Sequence, residues 1–190
     1  MRTALMTGEK VYLRPLGRDD LNETYLGWLN DPEVTRYLEA RLSSYNKSKL
    51  EDYYDHFEGA PDIRFLAVVE KNSNLHIGNV KLEPINWVHR TTVFGILIGD
   101  KSKWGKGYGT EATRLAVEYA FEHLNLRKVS LGVVTTNIAA VKTYEKLGFV
   151  TEGTKRQEVL MCGKLEDVFW MGLLKNEYPT IKLETDEHFH

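Results

Sequence analysis

The chain has 190 residues, of which 42% are hydrophobic and 27% are charged, and its formal net charge is −2. This length and composition are typical of one globular domain with a substantial core, so we expect a single domain over residues 1–178 and a charged tail over 179–190. The missing basic excess argues against a sequence-independent nucleic-acid binder, and no nucleic-acid partner is expected.

The apolar segments and the cysteine content limit the location and the chemistry. No apolar run is long enough to span a bilayer, and the first six residues lack the apolar core of a signal peptide, so we predict a cytoplasmic protein without membrane attachment. The single cysteine, Cys162, excludes an internal disulfide and a cysteine-based metal cluster, and we interpret it as structural. His188 and His190 are interpreted as part of a frayed end, so no metal is expected.

Hydrophobic periodicity predicts one strand, then helices, then three consecutive strands in the first half of the chain. We expect a strand, a helix, one helical turn, a second helix and three strands, at Lys10–Leu16, Asp19–Leu29, Pro32–Leu38, Lys47–Phe57, Ile63–Glu70, His76–Glu83 and Thr92–Ile98. Polar residues between the first two of the three late strands predict a hairpin turn at Lys71–Asn74.

The second half is predicted to contain a helix, a strand, a helix and a final hairpin. The first of these helices should bury one side, formed by Ala112, Leu115, Ala116, Tyr119, Ala120 and His123. The elements after it are expected at Lys128–Thr135, Asn137–Leu147, Phe149–Arg156 and Glu166–Leu174, with Cys162 in the hairpin turn.

A glycine-rich segment, Trp104–Ala112, is the most informative part of the sequence. Three glycines at alternate positions separate the apolar run Val93–Ile98 from an amphipathic segment. A strand that ends in such a turn and continues as a helix leaves backbone N–H groups unpaired at the positive end of the helix dipole. Because glycine lets an anion approach the backbone closely, the segment predicts a phosphate-binding loop.

Two common nucleotide-binding loops do not match this segment. A P-loop would need glycine at Asp100 and a hydroxyl residue at Gly107. The dinucleotide fingerprint would need glycine at Thr110 and an acidic residue at the end of the next strand, which instead ends in Thr135-Thr136-Asn137. Both kinds of nucleotide site are therefore disfavoured.

A second pattern follows the strand predicted at 128–135. Asn137, Ala140, Val141, Tyr144 and Leu147 recur at helical spacing and should share one face. Taken singly, Asn137 is a good N-cap, Tyr144 a plausible core aromatic residue and Gly148 an ordinary residue after a helix.

Together, the two segments resemble the cofactor-binding motifs of the GNAT superfamily of acetyl-CoA-dependent N-acetyltransferases. The first is similar to the pyrophosphate loop Gln/Arg-x-x-Gly-x-Gly/Ala, with Trp104 at the Gln/Arg position, and the second to Asn-x-x-Ala-x-x-x-Tyr-x-x-x-Gly-Phe. The resemblance implies a mixed α/β (α+β) fold with a central, mostly antiparallel sheet and helices on both faces. It also implies acetyl-CoA as cosubstrate, its pantetheine arm entering where two strands diverge. The implied cofactor-binding residues are Leu97, Ile98, Trp104, Gly105, Lys106, Gly107, Tyr108, Gly109, Thr110, Asn137, Ala140 and Tyr144.

The same resemblance implies direct attack of an amine on the thioester in a ternary complex. Tyr144 would act as the acid for the leaving thiolate, Asn137 would hold the cofactor arm, and a backbone N–H of Gly95–Ile98 would stabilise the oxyanion. An alkylamine is mostly protonated at neutral pH, so a base or a water chain is also required. Glu83 and His89 are the candidate bases, and a solvated surface role is the alternative for each.

Two segments bear on the acceptor. Residues 78–109 resemble ribosomal-protein N-terminal and spermidine acetyltransferases, whereas residues 28–39 are similar to acetyltransferases of amino-sugar nucleotides. We expect a small-molecule amine, with a sugar amine ahead of a polyamine, and a protein N-terminus as the alternative. Glu39 and Arg41 are candidate substrate-binding residues, with a solvated ion pair as the alternative. A non-catalytic CoA- or nucleotide-binding module is the remaining class, and a homodimer is one option for the assembly.

Overall fold

The structure is a computed structural model that describes residues 3–178. It contains eight strands, β1 to β8, at Met6–Thr7, Val11–Pro15, Arg64–Glu70, His76–Asn86, Thr91–Ile98, Lys128–Val134, Val150–Met161 and Lys164–Leu174. Four α-helices, α1 to α4, lie at Glu23–Asn30, Lys47–Phe57, Tyr108–Glu118 and Ile138–Lys146. The expected tail over 179–190, with His188 and His190, lies outside the described residues.

The strands form a mixed sheet in the order β1-β2-β3-β4-β5-β6-β8-β7. The pairs β1–β2, β2–β3, β3–β4, β6–β8 and β7–β8 are antiparallel, and β5 pairs in parallel with β6 over Thr91–Val93 and Lys128–Ser130. The expected mixed α/β fold with a mostly antiparallel sheet is therefore confirmed. The helix after β5 and the final hairpin are also found in the predicted regions, although β7 continues to Met161 instead of ending at Arg156.

The first of two compact units comprises Met1–Pro84 and Gly95–Tyr119. In it α1 and α2 pack on one face of the sheet, in a core that includes Tyr25, Trp28, Leu50, Ala67 and Val69. An asparagine caps each helix, because its side-chain oxygen accepts a hydrogen bond from an N–H in the first turn, as Asn22 does for α1 and Asn46 for α2.

The second unit comprises Ile85–Phe94 and Ala120–His190. Its described part contains β6, α4 and the long β7–β8 hairpin, whose turn carries the exposed Cys162. Asn137 caps α4 through the N–H of Ala140, and Gly148, at φ +86°, follows the helix in the left-handed conformation that glycine adopts without strain.

The helical turn predicted at Pro32–Leu38 is present only as a single turn, closed by the hydrogen bond from the Thr35 N–H to the Asp31 carbonyl at 3.0 Å, and no regular helix forms. This segment consists of turns, and a short 3₁₀ helix follows at Glu39–Leu42. The Asp31 side chain accepts hydrogen bonds from the N–H groups of Glu33 and Val34, and the Thr35 hydroxyl donates to the Asp31 carbonyl. These local side-chain bonds favour a turn over a continued helix.

The burial predicted for His123 is wrong. His123 is exposed, whereas Phe121 is fully buried. The chain passes from α3 into a π-helical turn at Tyr119–His123. A π-helical turn contains more residues than an α-helical turn, so the residues after it face a different direction from those that an α-helix would bury. A fixed α-helical period therefore assigns the wrong residue after Ala120.

Within residues 3–178, none of the helices has the length and apolar character that a membrane span requires.

Candidate active site

The glycine-rich loop connects the end of β5 to α3 in the first unit. A 3₁₀ turn at Lys101–Lys103 is capped by the Asp100 side chain, and Gly105 and Gly107 then adopt φ values of +68° and +84°. Gly107 occupies the N-cap position of α3. A side chain at either glycine would be strained, so the loop needs glycine at both positions.

The backbone N–H groups of this loop are available to a ligand. Among the described residues, none accepts a hydrogen bond from the N–H groups of Gly105–Thr110. Tyr108, Gly109 and Thr110 form the first turn of α3, where no preceding helical carbonyl exists. Together with the positive end of the helix dipole, these N–H groups form a site that fits a phosphate group.

Trp104, at the position of the usual Gln/Arg, closes the base of the loop. Its indole N–H donates to the carbonyl of Ile98 at 2.8 Å, while 39% of the residue is exposed. The indole therefore fixes the loop on the end of β5 by a hydrogen bond of its own. A cationic side chain is not needed here for the loop to keep its conformation.

Lys10, which the sequence did not identify, adds a positive charge to the loop. Its ammonium donates to the carbonyl of Lys106 at 3.0 Å and lies 3.6 Å from the position that a Cβ of Gly107 would take. Its backbone N–H donates to both carboxylate oxygens of Glu111, at 3.0 and 3.1 Å. The Glu111 carboxylate, in the first turn of α3, is thereby held by the backbone that leads into β2.

A second unpredicted residue, Glu70, anchors the loop from the end of β3. Its buried carboxylate accepts hydrogen bonds from Lys103 and Tyr108, both at 2.6 Å, and from Ser73 at 2.5 Å. The hydrogen bonds from Lys103, Ser73 and Tyr108 lower the pKa of Glu70 to about 2. The hydrogen bond to Glu70 also raises the pKa of Tyr108, so this phenol stays neutral and bound.

The last residues of β5, which include Leu97 and Ile98, are only half-buried although the strand lies inside the sheet. Ile98 lies beside the loop, 3.5 Å from the position that a Cβ of Gly109 would occupy. Leu97 packs against the core under α1 and α2. A partly open apolar strand directly before the glycine-rich loop suits a ligand with an extended arm.

Tyr144 lies on α4 in the second unit. Its ring is 8% exposed and makes edge-to-face contacts with Phe94 and Phe149, at centroid distances of 6.3 and 5.8 Å. Burial raises the pKa of the phenol to about 12. No described residue forms a hydrogen bond with the phenol oxygen, so the proton of this hydroxyl is available to a bound molecule.

Asn137 and Ala140, the other predicted cofactor-binding residues of α4, are half-buried. The Asn137 side-chain oxygen accepts the N–H of Ala140 at 3.3 Å, so it acts as the N-cap that the simpler interpretation proposed. A role in holding a cofactor arm stays a prediction for both residues.

The two candidate bases lie in different units. Glu83, in the first, forms a 2.5 Å ion pair with Lys81. His89, in the second, is exposed in the β4–β5 turn, where its carbonyl accepts a hydrogen bond from Arg127 at 2.7 Å. The structure therefore gives Glu83 a cationic partner on the same strand and leaves His89 at the surface.

The candidate substrate residues Glu39 and Arg41 lie in the 3₁₀ helix after α1. They form an ion pair at 3.4 Å, in which 78% of the Glu39 side chain and 18% of the Arg41 side chain are exposed. The Arg41 guanidinium also donates to the carbonyl of Leu38 at 2.8 Å. The structure thus brings the two residues together, and their role toward a substrate stays a prediction.

A family model described as "Acetyltransferase (GNAT) domain" matches residues 10–150. The chain belongs to this family, and it is an acetyltransferase that uses acetyl-CoA as cosubstrate. It is 37% identical over 175 residues to a spermidine N(1)-acetyltransferase of Escherichia coli (strain K12), covering 90% of each chain. A spermidine N(1)-acetyltransferase of Vibrio cholerae is 35% identical over 170 residues, which cover 89% of this chain and 95% of the relative.

A solved structure gives the same family. The crystal structure of spermidine N-acetyltransferase from Vibrio cholerae in complex with CoA and spermine superposes with a TM-score of 0.83 at 32% identity, covering 90% of this chain and 99% of that one. Over residues 3–178, no cluster of three or more histidine, cysteine, aspartate or glutamate side chains is arranged to hold a metal ion.

Proposed function

We propose that this enzyme transfers the acetyl group of acetyl-CoA to a primary amine of a polyamine. The single observation that carries the proposal is the similarity, over nine-tenths of the chain, to two bacterial enzymes named as spermidine acetyltransferases. The ranking made from the sequence, which put a sugar amine ahead of a polyamine, is therefore reversed here.

The glycine-rich loop is the proposed binding site for the pyrophosphate of acetyl-CoA. Its unpaired N–H groups, the dipole of α3 and the ammonium of Lys10 all favour an anion at one place. Glu70 holds Lys103 and Tyr108, so these two side chains fix the loop rather than bind the ligand directly. The half-buried Leu97 and Ile98 are proposed to contact the arm of the cofactor.

Tyr144 is proposed as the acid of the reaction. The thioester supplies the acetyl carbon that the amine attacks and the sulfur that leaves as a thiolate. The phenol of Tyr144 donates its proton to that sulfur, and solvent later returns the proton. Because its pKa is about 12, the phenol is fully protonated at neutral pH, and it is a weaker acid than an ordinary thiol. It donates only as negative charge develops on sulfur.

A water chain is the proposed route by which the acceptor loses its proton. The Glu83 carboxylate is engaged by Lys81, and His89 lies in an exposed turn. Solvent reaches both groups, and water can carry a proton from the amine without either side chain acting directly. If this route operates, the variants Glu83→Gln and His89→Gln, each tested alone, should both retain acetyltransferase activity.

The experiment that tests the acceptor class is a panel of amines with acetyl-CoA, followed by the release of free thiol. The panel contains spermidine, spermine, a diamine, an amino-sugar nucleotide and a peptide with a free N-terminus. The proposal requires the highest kcat/KM with a polyamine. Faster acetylation of the sugar amine or of the peptide would replace it with the corresponding alternative, and turnover with none would favour a non-catalytic CoA-binding module.

A further inference from the structure

Three aromatic rings surround the ammonium of Lys81 in the first unit. The ammonium lies 4.6 Å from the ring centroid of Phe57, 5.4 Å from that of Tyr53 and 5.9 Å from that of Phe65. The three rings stand nearly perpendicular to one another, at interplanar angles of 76°, 88° and 87°. This arrangement, called the aromatic box below, presents several π surfaces to one cation.

A carboxylate and a phenol oxygen complete the box. Lys81 forms an ion pair with Glu83 at 2.5 Å and donates a hydrogen bond to the Tyr53 hydroxyl at 3.0 Å. Only 28% of each of the two charged side chains is exposed. Burial alone would lower the pKa of Lys81, but the hydrogen bonds and charges of Glu83 and Tyr53 outweigh it, so this pKa lies above its ordinary value.

These features distinguish Lys81 from an ordinary surface lysine. Lys49 also lies over an aromatic ring, that of Tyr45 at 4.7 Å, but it is exposed and faces a single ring. Fixing a lysine side chain costs conformational entropy, so Lys81 is held in place by the chemistry that surrounds it. That chemistry, three rings and one carboxylate, binds any alkylammonium and is not specific for a lysine of the same chain.

We propose that the aromatic box of Tyr53, Phe57, Phe65 and Glu83 is an alkylammonium-binding site, that Lys81 is its built-in occupant, and that a charged amine of the acceptor competes with Lys81 for it. Two ammonium groups do not share the box, because like charges a few ångströms apart repel each other. Lys81 therefore weakens the binding of cationic acceptors and limits how many of their charges the enzyme accommodates. The choice of competing ligand rests on the proposed polyamine acceptor, whereas the ammonium site does not.

Lys81→Ala tests the site without any turnover. The substitution removes three methylene groups and the ammonium, which is the size and shape of n-propylammonium. We expect n-propylammonium chloride to raise the Tm of Lys81→Ala by about 3 °C or more at saturation and to leave the wild-type protein unchanged. Lys49→Ala is the matched control and should not respond, and Lys81→Ala with Glu83→Gln should lose the response. Equal stabilisation by n-propanol, or none by n-propylammonium, would overturn the ammonium site.

Lys81→Thr tests the competition, and it also serves if the alanine variant does not fold, because threonine is well suited to a strand position. Its short side chain vacates the box and removes the charge. We expect the KM for spermidine to fall by about tenfold, which is the worth of one favourable cation–π contact or ion pair, with kcat and the KM for acetyl-CoA unchanged. An unchanged or higher KM for the acceptor would overturn the competition. If wild type acetylates no polyamine, the proposed function fails, and the n-propylammonium measurement still decides the ammonium site.

Discussion

The substitution Tyr144→Phe distinguishes a catalytic role of the Tyr144 hydroxyl from a purely structural role of its ring. The substitution keeps the edge-to-face contacts with Phe94 and Phe149 and removes one hydroxyl, which has no hydrogen-bond partner among the described residues. No buried group is stranded, so the free energy of unfolding should change by less than about 1 kcal/mol. General acid catalysis is typically worth roughly 10²–10⁴-fold, so kcat should fall by that factor, or about 2.7–5.5 kcal/mol in the barrier.

The assay is single-turnover acetylation at saturating acceptor, where chemistry limits the rate, together with acetyl-CoA binding measured by titration. Affinity for acetyl-CoA should stay near that of the wild type. Because the pKa of Tyr144 is about 12, the phenol remains protonated throughout the usual assay range, and the two rate profiles should have the same shape below pH 11. Wild-type turnover in the Phe variant would assign Tyr144 to the core alone.

The raised pKa of Tyr144 also has a consequence for stability. The fold favours the neutral phenol, so the contribution of this group is constant below its ordinary pKa of 10 and decreases as the pH rises through 12. A shift of about two pH units corresponds to about 2.7 kcal/mol. Relative to Tyr144→Phe, the wild type should therefore become less stable above pH 10, as followed by urea unfolding. A constant difference between the two proteins up to pH 11.5 would contradict the burial of the phenol.

Three further predictions concern the cofactor loop. Acetyl-CoA at a hundred times its Kd should stabilise the fold by about 2.7 kcal/mol, and calorimetry at saturation that gives an unchanged Tm would exclude the loop as a native-state ligand site. Gly107→Val should lose most of its affinity for acetyl-CoA. The control Gly59→Val, at a similar φ of +78° after α2, should lose stability only. If both variants bind acetyl-CoA equally well, the glycine-rich loop is not the binding site. Glu70→Gln should raise the KM for acetyl-CoA by releasing Lys103 and Tyr108. Since the pKa of Glu70 is lowered from 4.5 to about 2, the wild type should also lose more stability than this variant as the pH falls from 4.5 to 2 in acid unfolding.

The sequence predicted those parts of the fold and site that depend on local patterns. The glycine spacing predicted the turn before α3, and the helical repeat around Tyr144 predicted α4, because both are set by residues within a few positions of one another. The 3₁₀ helix at Glu39–Leu42 and the π-helical turn at Tyr119–His123 were missed, since side-chain hydrogen bonds and a widened turn depart from a fixed period.

Contacts that depend on the sheet order could not be predicted from spacing. Lys10 meets Lys106 across 96 residues of chain, and Glu70 meets Lys103 across 33. No local signal marks Lys10 or Glu70, because each acts through a strand that the fold places beside the loop. The pair Lys81–Glu83 is local, but its aromatic surroundings come from α2 and β3, so a solvated carboxylate was the reasonable expectation.

The contact between Gly99 and Trp28 has a consequence for the coupling between the two substrates. A Cβ at Gly99 would lie 1.9 Å from the Trp28 ring, so the indole rests directly on the backbone that leads into the glycine-rich loop. Lys101 adds ion pairs to Asp31 and Glu33, at 2.8 and 3.0 Å, in the turn after α1. The segment that leads into the loop is therefore in direct contact with α1 and with the turn that follows it.

If the acceptor contacts that turn, the two ligands are thermodynamically coupled. Reciprocity then requires the acceptor to change the affinity for acetyl-CoA by the same factor that acetyl-CoA changes the affinity for the acceptor. The exposed ion pairs of Lys101 should contribute to the coupling free energy a part that salt screens. The contact of Trp28 with Gly99 is apolar, so its part of the coupling free energy should not depend on salt. If the acceptor contacts the turn, the coupling between the two ligands is thus expected to weaken, but not to vanish, at high ionic strength.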